Sequence, residues 1–177
     1  PVSEIPRSAD ATVEQVALTS APSKPFISGT DPIYGDPLAK ITIVEFGDFM
    51  CTPCAYVNST LKELLKEFKG EIKLVWKDLP NTSRHFLALD AAKAARCAQE
   101  QGAFWPYHDL LLARQTELNA ETFTELAKQL NLDVSAFSAC LSSDRVVGII
   151  ERSKNEAQLL QVNATPYFFV GDKRIEG

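Results

Sequence analysis

An α/β fold is expected of this 177-residue chain on three observations. Its first half carries a strand, a helix and a second strand in the order of a parallel βαβ unit, a long stretch of helical periodicity follows, and the last residues read as a hairpin. A hydrophobic content of 45% suffices for one domain with a real core, or for one domain interrupted by an insertion. The net charge of -5 argues against nucleic acid or an anionic membrane surface as a partner, which leaves proteins or small molecules. No apolar run approaches the roughly 18 residues that a membrane helix needs. Because the chain begins at Pro1 and not at Met, it reads as a processed product whose signal or anchor, if one preceded it, lies outside the sequence.

Residues 1–37 are rich in Ser, Thr, Ala and Pro and read as a tether or irregular arm, with Pro25-Phe26-Ile27 and Ile33-Tyr34 alternatively packing on the domain as an irregular lead-in. The β-branched run Lys40-Ile41-Thr42-Ile43-Val44-Glu45-Phe46 is a buried strand with one anomaly, Glu45. Leu61, Leu64, Leu65 and Phe68 recur at helical spacing before Gly70, so a helix is expected from the Cys51-Thr52-Pro53-Cys54 motif onwards. Ile72 to Trp76 return as a strand. Helices are then expected over an Ala-rich segment at 86–98 and near 104–114. A stripe of Phe123, Leu126, Ala127 and Leu130 marks the next, Val134, Phe137 and Leu141 behind an Asp133 cap another, and Val146, Ile149, Ile150 and Ala157 a longer last one. Tyr167 to Val170 and Lys173 to Ile175 flank Gly171-Asp172 as the hairpin.

The chemistry concentrates on cysteine. Four are present, one tight pair at 51 and 54 and two single residues at 97 and 140. A zinc site built from all four would lack a second Cys-x-x-Cys, and the only histidines are His85 and His108. A pair at a helix start can instead close a small disulfide ring, with the helix N-terminus favouring the thiolate of Cys51 and Pro53 fitting the first turn. The same pair could also be buried and inert, or hold a soft metal. Glu45, among Ile43, Val44 and Phe46, is costly to ionise and should titrate high, unless it faces solvent or pairs with Lys77. His108, within Phe104-Trp105-Pro106-Tyr107, reads as a packing residue, and His85 carries no functional signal. Phe46, Phe49 and Met50 are core or, near Cys51, an apolar rim for substrate.

Glu45-Phe46-Gly47-Asp48-Phe49-Met50-Cys51-Thr52-Pro53-Cys54, with Ala164-Thr165-Pro166-Tyr167-Phe168-Phe169 far downstream, resembles the DsbA-like branch of the thioredoxin superfamily. Trp76-Lys77-Asp78-Leu79-Pro80, Ala94-Ala95-Arg96-Cys97-Ala98 and Gln101-Gly102-Ala103-Phe104-Trp105 agree with it. The resemblance implies a thioredoxin-like core at 38–78 and 162–177 and an inserted α-helical domain at 79–161. That family continues into a final helix, so the core is expected to lack its last helix after Gly177. By position, Cys51 is the catalytic nucleophile, Cys54 resolves the mixed disulfide, and Glu45 relays a proton. Thr165-Pro166 is the cis-proline position that binds substrate, and Cys97 with Cys140 forms a structural disulfide. The bridge would point to an oxidising compartment, periplasmic or otherwise extracytoplasmic, with a membrane tether through a missing N-terminal segment.

The resemblance further implies exported protein or peptide substrates, a membrane redox partner, a monomer, no nucleic acid, and no cofactor or metal beyond the redox-active disulfide Cys51-Cys54. Thr52 and Pro53 tune its potential. Strongly oxidising relatives carry a His where this chain has Pro53, so the motif holds no imidazole to stabilise the Cys51 thiolate. A DsbA-like oxidase is the favoured reading, and a thioredoxin-like reductase its nearest rival. A dimeric isomerase is less favoured because residues 1–37 are too short to be a dimerisation domain. A non-enzymatic Cu/Zn-binding protein and a catalytically silent peptide-binding chaperone are the alternatives from other classes.

Overall fold

The computed structural model describes residues 22–177. Strands β1 (Ile33–Gly35), β2 (Ile41–Gly47), β3 (Ile72–Asp78), β4 (Tyr167–Val170) and β5 (Lys173–Glu176) form one sheet in the order β1-β3-β2-β4-β5. Strands β2 and β3 are parallel, joined by helix α1 (Thr52–Glu67), while β1, β4 and β5 pair antiparallel with their neighbours. Because side chains alternate across a strand, β2 sends Val44 and Phe46 to one face and Ile43 to the other. The first face packs with Val75 and Phe169 against Ala157, Leu160 and Val162, at and beyond the end of helix α6 (Val147–Leu159). The second packs with Leu74 and Phe168 against Leu61 and Leu65 of α1.

Between β3 and β4 the chain runs through α2 (Ala88–Glu100), α3 (Phe104–Ala113), α4 (Ala120–Gln129), α5 (Val134–Leu141) and α6. Helix α2 buries Ala88, Ala91, Ala92, Ala94, Ala95 and Ala98, side chains small enough to let its neighbours approach closely. Asn119 and Asp133 cap α4 and α5 by accepting the backbone N–H of Thr122 and Ala136, which satisfies donors that a helix start leaves open. Cys97 of α2 and Cys140 of α5 are joined by a disulfide with Cα atoms 5.7 Å apart.

The helical domain meets the sheet through buried polar groups. Asp78 accepts from Trp76 Nε1 at 2.9 Å and from Arg96 Nε at 2.6 Å, and Arg96 also donates to the carbonyl of Thr30 at 2.8 Å. Lys77 has its ammonium 2.8 Å from Asp31 and 2.9 Å from Glu156, and it donates to the Phe26 carbonyl. The N-terminal lead-in is thereby fastened to both β3 and α6. Lys77 is thus committed elsewhere and does not pair with Glu45.

Two features depart from expectation. Residues 33–35, assigned above to an irregular arm at 1–37, form the edge strand β1, with Ile33 opposite Val75. A three-residue strand is too short for alternation to register as a pattern. A 3₁₀ turn at Gln115–Glu117 also breaks the helical run. Residues 1–21 of the arm lie outside the described residues.

Gly47 closes β2 where a side chain cannot fit: a Cβ there would lie 2.2 Å from the ring of Trp76, itself fully buried. Gly47→Ala is expected to destabilise the protein by about 1–3 kcal/mol, the usual cost of overpacking, read from the urea midpoint. Replacing Cys97 and Cys140 together by Ala removes a cross-link of 43 residues separation. The loss expected from chain entropy is about 4 kcal/mol, measured as the difference in unfolding free energy.

Candidate active site

At the C-terminal end of β2 the backbone leaves the sheet through Asp48, Phe49 and Met50 and enters α1 with Cys51 as its N-cap. The turn is built by Asp48. Its carbonyl accepts from Cys51 N at 3.0 Å, its Oδ1 from Met50 N at 2.8 Å and its Oδ2 from Asn81 N at 3.0 Å. Phe49 anchors the turn inwards by stacking on Trp76 with ring centroids 4.7 Å apart. From the helical domain, Gln115 Nε2 donates to the carbonyls of Phe49 and Cys51 at 2.7 and 2.8 Å. Three separate segments therefore hold the cysteine loop in place.

Cys51 and Cys54 are free thiols, both buried, with Thr52 and Pro53 exposed between them. Pro lies in the first turn of α1, and no acidic side chain there opposes the positive end of the helix. The Cys51 thiol lies 3.2 Å from the carbonyl of Thr165, whose peptide bond to Pro166 is cis. Sulfur to sulfur, the pair is electrically asymmetric. The hydrogen bond from Cys54, and after it the Thr165 side chain, outweigh burial and bring Cys51 from an ordinary 9.0 down to about 6. Cys54 moves the other way, because it is the donor to Cys51 and is cut off from solvent. One thiolate at a time is favoured, and it belongs to Cys51.

Glu45 lies one strand residue before Phe46 and is 2% exposed. Burial, and then the negative charge of Cys51, raise its pKa from 4.5 to about 8. Its charge in turn raises Cys54. The carboxyl is thus neutral at pH 7 and coupled to both thiols, consistent with the high titration expected from its apolar neighbours.

An open cleft of about 310 Å³ lies over the motif, lined among others by Cys51, Pro53, Asp48, Arg84, His85 and Thr165. Of the groups that shape the site, the sequence reading quoted Asp48 only as part of the cysteine motif, set His85 aside and passed over Gln115. Only Asp48 carried a sequence signal, being a carboxylate placed directly after a strand. His108, as expected, is a packing residue. It is buried among Phe49, Trp76, Phe104 and Trp105, and desolvation lowers its pKa. The Cys97–Cys140 bridge belongs to the helical core and not to this cleft.

The Glu45 carboxyl makes a directional pH prediction. Its folded-state pKa lies above its ordinary value, so the stabilisation from staying protonated is complete below about pH 4.5 and is lost as pH rises through about 8. Glu45→Gln in a Cys51→Ser/Cys54→Ser background should leave stability unchanged near pH 4. It should raise stability progressively towards pH 8, by at most about 5 kcal/mol for the interval from 4.5 to about 8. Urea unfolding at several pH values measures it.

A protein-family model described as thioredoxin matches residues 27–177. The Na(+)/H(+) antiporter NhaA 3 of Salinispora tropica is 40% identical over 147 residues, which is 83% of this chain and 22% of that protein. The Na(+)/H(+) antiporter NhaA of Herminiimonas arsenicoxydans is 36% identical over 147 residues, 83% of this chain and 23% of that one. The chain therefore spans about a fifth of the length of these curated relatives. Among solved structures, a thioredoxin-like oxidoreductase from Silicibacter pomeroyi DSS-3 superposes with a TM-score of 0.74 at 25% identity, covering 85% of each chain. Oxidised BdbD from Bacillus subtilis gives 0.74 at 24% identity over 84% of this chain and 85% of that one. The thiol-disulfide exchange protein alpha-DsbA2 from Wolbachia pipientis gives 0.73 at 23% identity, covering 82% and 78%. The family match spans the sheet, the cysteine turn and the helical insertion alike, and the chain belongs to the thioredoxin family.

Proposed function

We propose that this domain oxidises pairs of cysteines in exported proteins or peptides, using the Cys51–Cys54 disulfide as its only redox group. A substrate thiolate attacks Cys51 Sγ, the Cys51–Cys54 bond breaks, and Cys54 leaves as a thiolate that takes up a proton. A second substrate thiolate then attacks the mixed disulfide, the substrate disulfide forms, and Cys51 leaves as a thiolate. The substrate loses two electrons and the cysteine pair gains them. Glu45 is the proton carrier for Cys54, since its charge is felt there and it is protonated at neutral pH. Thr165 and Pro166 form the edge on which an extended substrate lies.

The observation that carries this reading is the placement of Cys51 at the N-cap of α1, its thiol 3.2 Å from the Thr165 carbonyl, where its pKa falls below the ordinary thiol range. A stabilised thiolate favours the reduced pair and so makes the disulfide more oxidising. At neutral pH the thiolate of Cys51 is the favoured form, which stabilises the reduced pair. Thioredoxin-like and strongly oxidising potentials differ by about 150 mV. The stabilised thiolate supports the oxidising direction, and Thr52-Pro53, without an imidazole, supports a weaker oxidant. The Cys97–Cys140 bridge supports an extracytoplasmic, oxidising setting.

The pair would be re-oxidised by a membrane redox partner. No helix among the described residues is long and apolar enough to cross a membrane. Relatives named as antiporters nevertheless contain a matching stretch, which supports a site of action beside a membrane.

Equilibration in graded glutathione buffers, with thiol trapping in a Cys97→Ala/Cys140→Ala variant, measures the potential of the pair. A value well above that of glutathione is expected. A value near roughly -270 mV, where thioredoxin lies, would replace the oxidase with a reductase.

A further inference from the structure

The cysteine motif contains no imidazole, yet the fold brings one to it. His85 stands in the segment between β3 and α2, its side chain one-third exposed, with Nδ1 3.4 Å from Oδ2 of Asp48. Both residues line the cleft that opens onto Cys51. Asp48 has no freedom to turn away. Its side chain is fully buried, and the amides of Met50 and Asn81 each occupy one of its oxygens. A carboxylate fixed in that place opposes the Cys51 thiolate by simple charge repulsion.

The charged groups around this spot are few. Asp48 and Cys51 face it from the turn before α1, Glu45 lies on β2 below, and Arg84 adjoins on the same segment as His85. Lys154 of α6 lines the neighbouring groove and is paired with Glu151 at 2.7 Å. Among the described residues, His85 alone comes within ion-pair distance of Asp48.

We propose that His85 is a positioning residue for the exchange reaction: whenever its ring is protonated it offsets the charge of Asp48, so the stability of the Cys51 thiolate depends on the charge at residue 85. The imidazole missing from the motif is in this way supplied from a distant segment, acting through a carboxylate and not on the sulfur itself. The inference rests on Cys51 being the exchanging thiol.

Its test is the titration of that thiol in the full chain, by thiolate absorbance near 240 nm and by the pH dependence of alkylation, with Cys51→Ser as the blank. His85→Gln should raise the midpoint by roughly half to one unit and slow alkylation about three- to tenfold below it. His85→Lys, which keeps a cation, should stay near the wild-type midpoint. An unmoved midpoint in His85→Gln, or equal shifts in both variants, would overturn the proposal and reduce His85 to a structural partner of Asp48. Thermal melts establish that both variants are folded. The titration needs no substrate, whereas exchange of wild-type protein with glutathione disulfide tests the reaction separately, so failure of one is distinguishable from failure of the other.

Discussion

The parallel pairing of β2 with β3, running in register from Ile41 beside Ile72 to Gly47 beside Asp78, is the constraint from which the rest of the molecule is hung. Parallel neighbours need a crossover, which here is α1, and both strands end on the same edge of the sheet. From that edge β2 releases the cysteine turn and β3 releases the segment leading to the helical domain. The side chains at the exit are matched to it. Gly47 leaves room for Trp76, and Trp76 gives Phe49 a surface to stack on and Asp78 a donor. Close strand packing and the position of the cysteine turn are therefore one arrangement.

The helical domain is joined to this edge by polar groups as well as apolar ones. Burying Asp78 and Arg96 is costly in itself, since each loses hydration. Their mutual bond, the indole N–H and the Thr30 carbonyl offset that loss, and they do so in only one relative placement of β3, α2 and the N-terminal lead-in. The same is true of Lys77, whose ammonium is shared between Asp31 and Glu156. Greasy contacts alone would tolerate sliding. These directional ones set the position from which Gln115 reaches the cysteine turn.

Within the site, charge is arranged in opposition. Glu45 and Asp48 are both acids close to Cys51, but they act differently because their surroundings differ. Glu45, among apolar side chains, is pushed well above the usual carboxylate range by burial. Asp48 is held in place by two backbone amides and faces His85 across the cleft wall. The helix start and the Cys54 hydrogen bond lower Cys51 against this acidic background. The reactivity of the thiol is a balance of terms with opposite signs, and no single residue sets it.

Much of this was readable from residue order alone. The β-branched run ending at Phe46, the Cys-x-x-Cys at a helix start and the apolar stripes at Phe123 and Val134 are local patterns, and local patterns survive in a linear sequence. The anomaly of Glu45 was equally visible, since an acid inside an apolar strand declares its own cost. What could not be read were the contacts made across long separations. Strand β1 is too short to show a period and becomes a strand only against Val75. Gln115 lies 64 residues from the Cys51 carbonyl it binds, and His85 lies 37 from Asp48. Neither side chain has a motif of its own. Local order determined which residues could do chemistry, and the packing of the helical domain on the strand ends decided which of them stand around the thiol, because hydrogen bonds and ion pairs act over a few ångströms of space and are indifferent to distance along the chain.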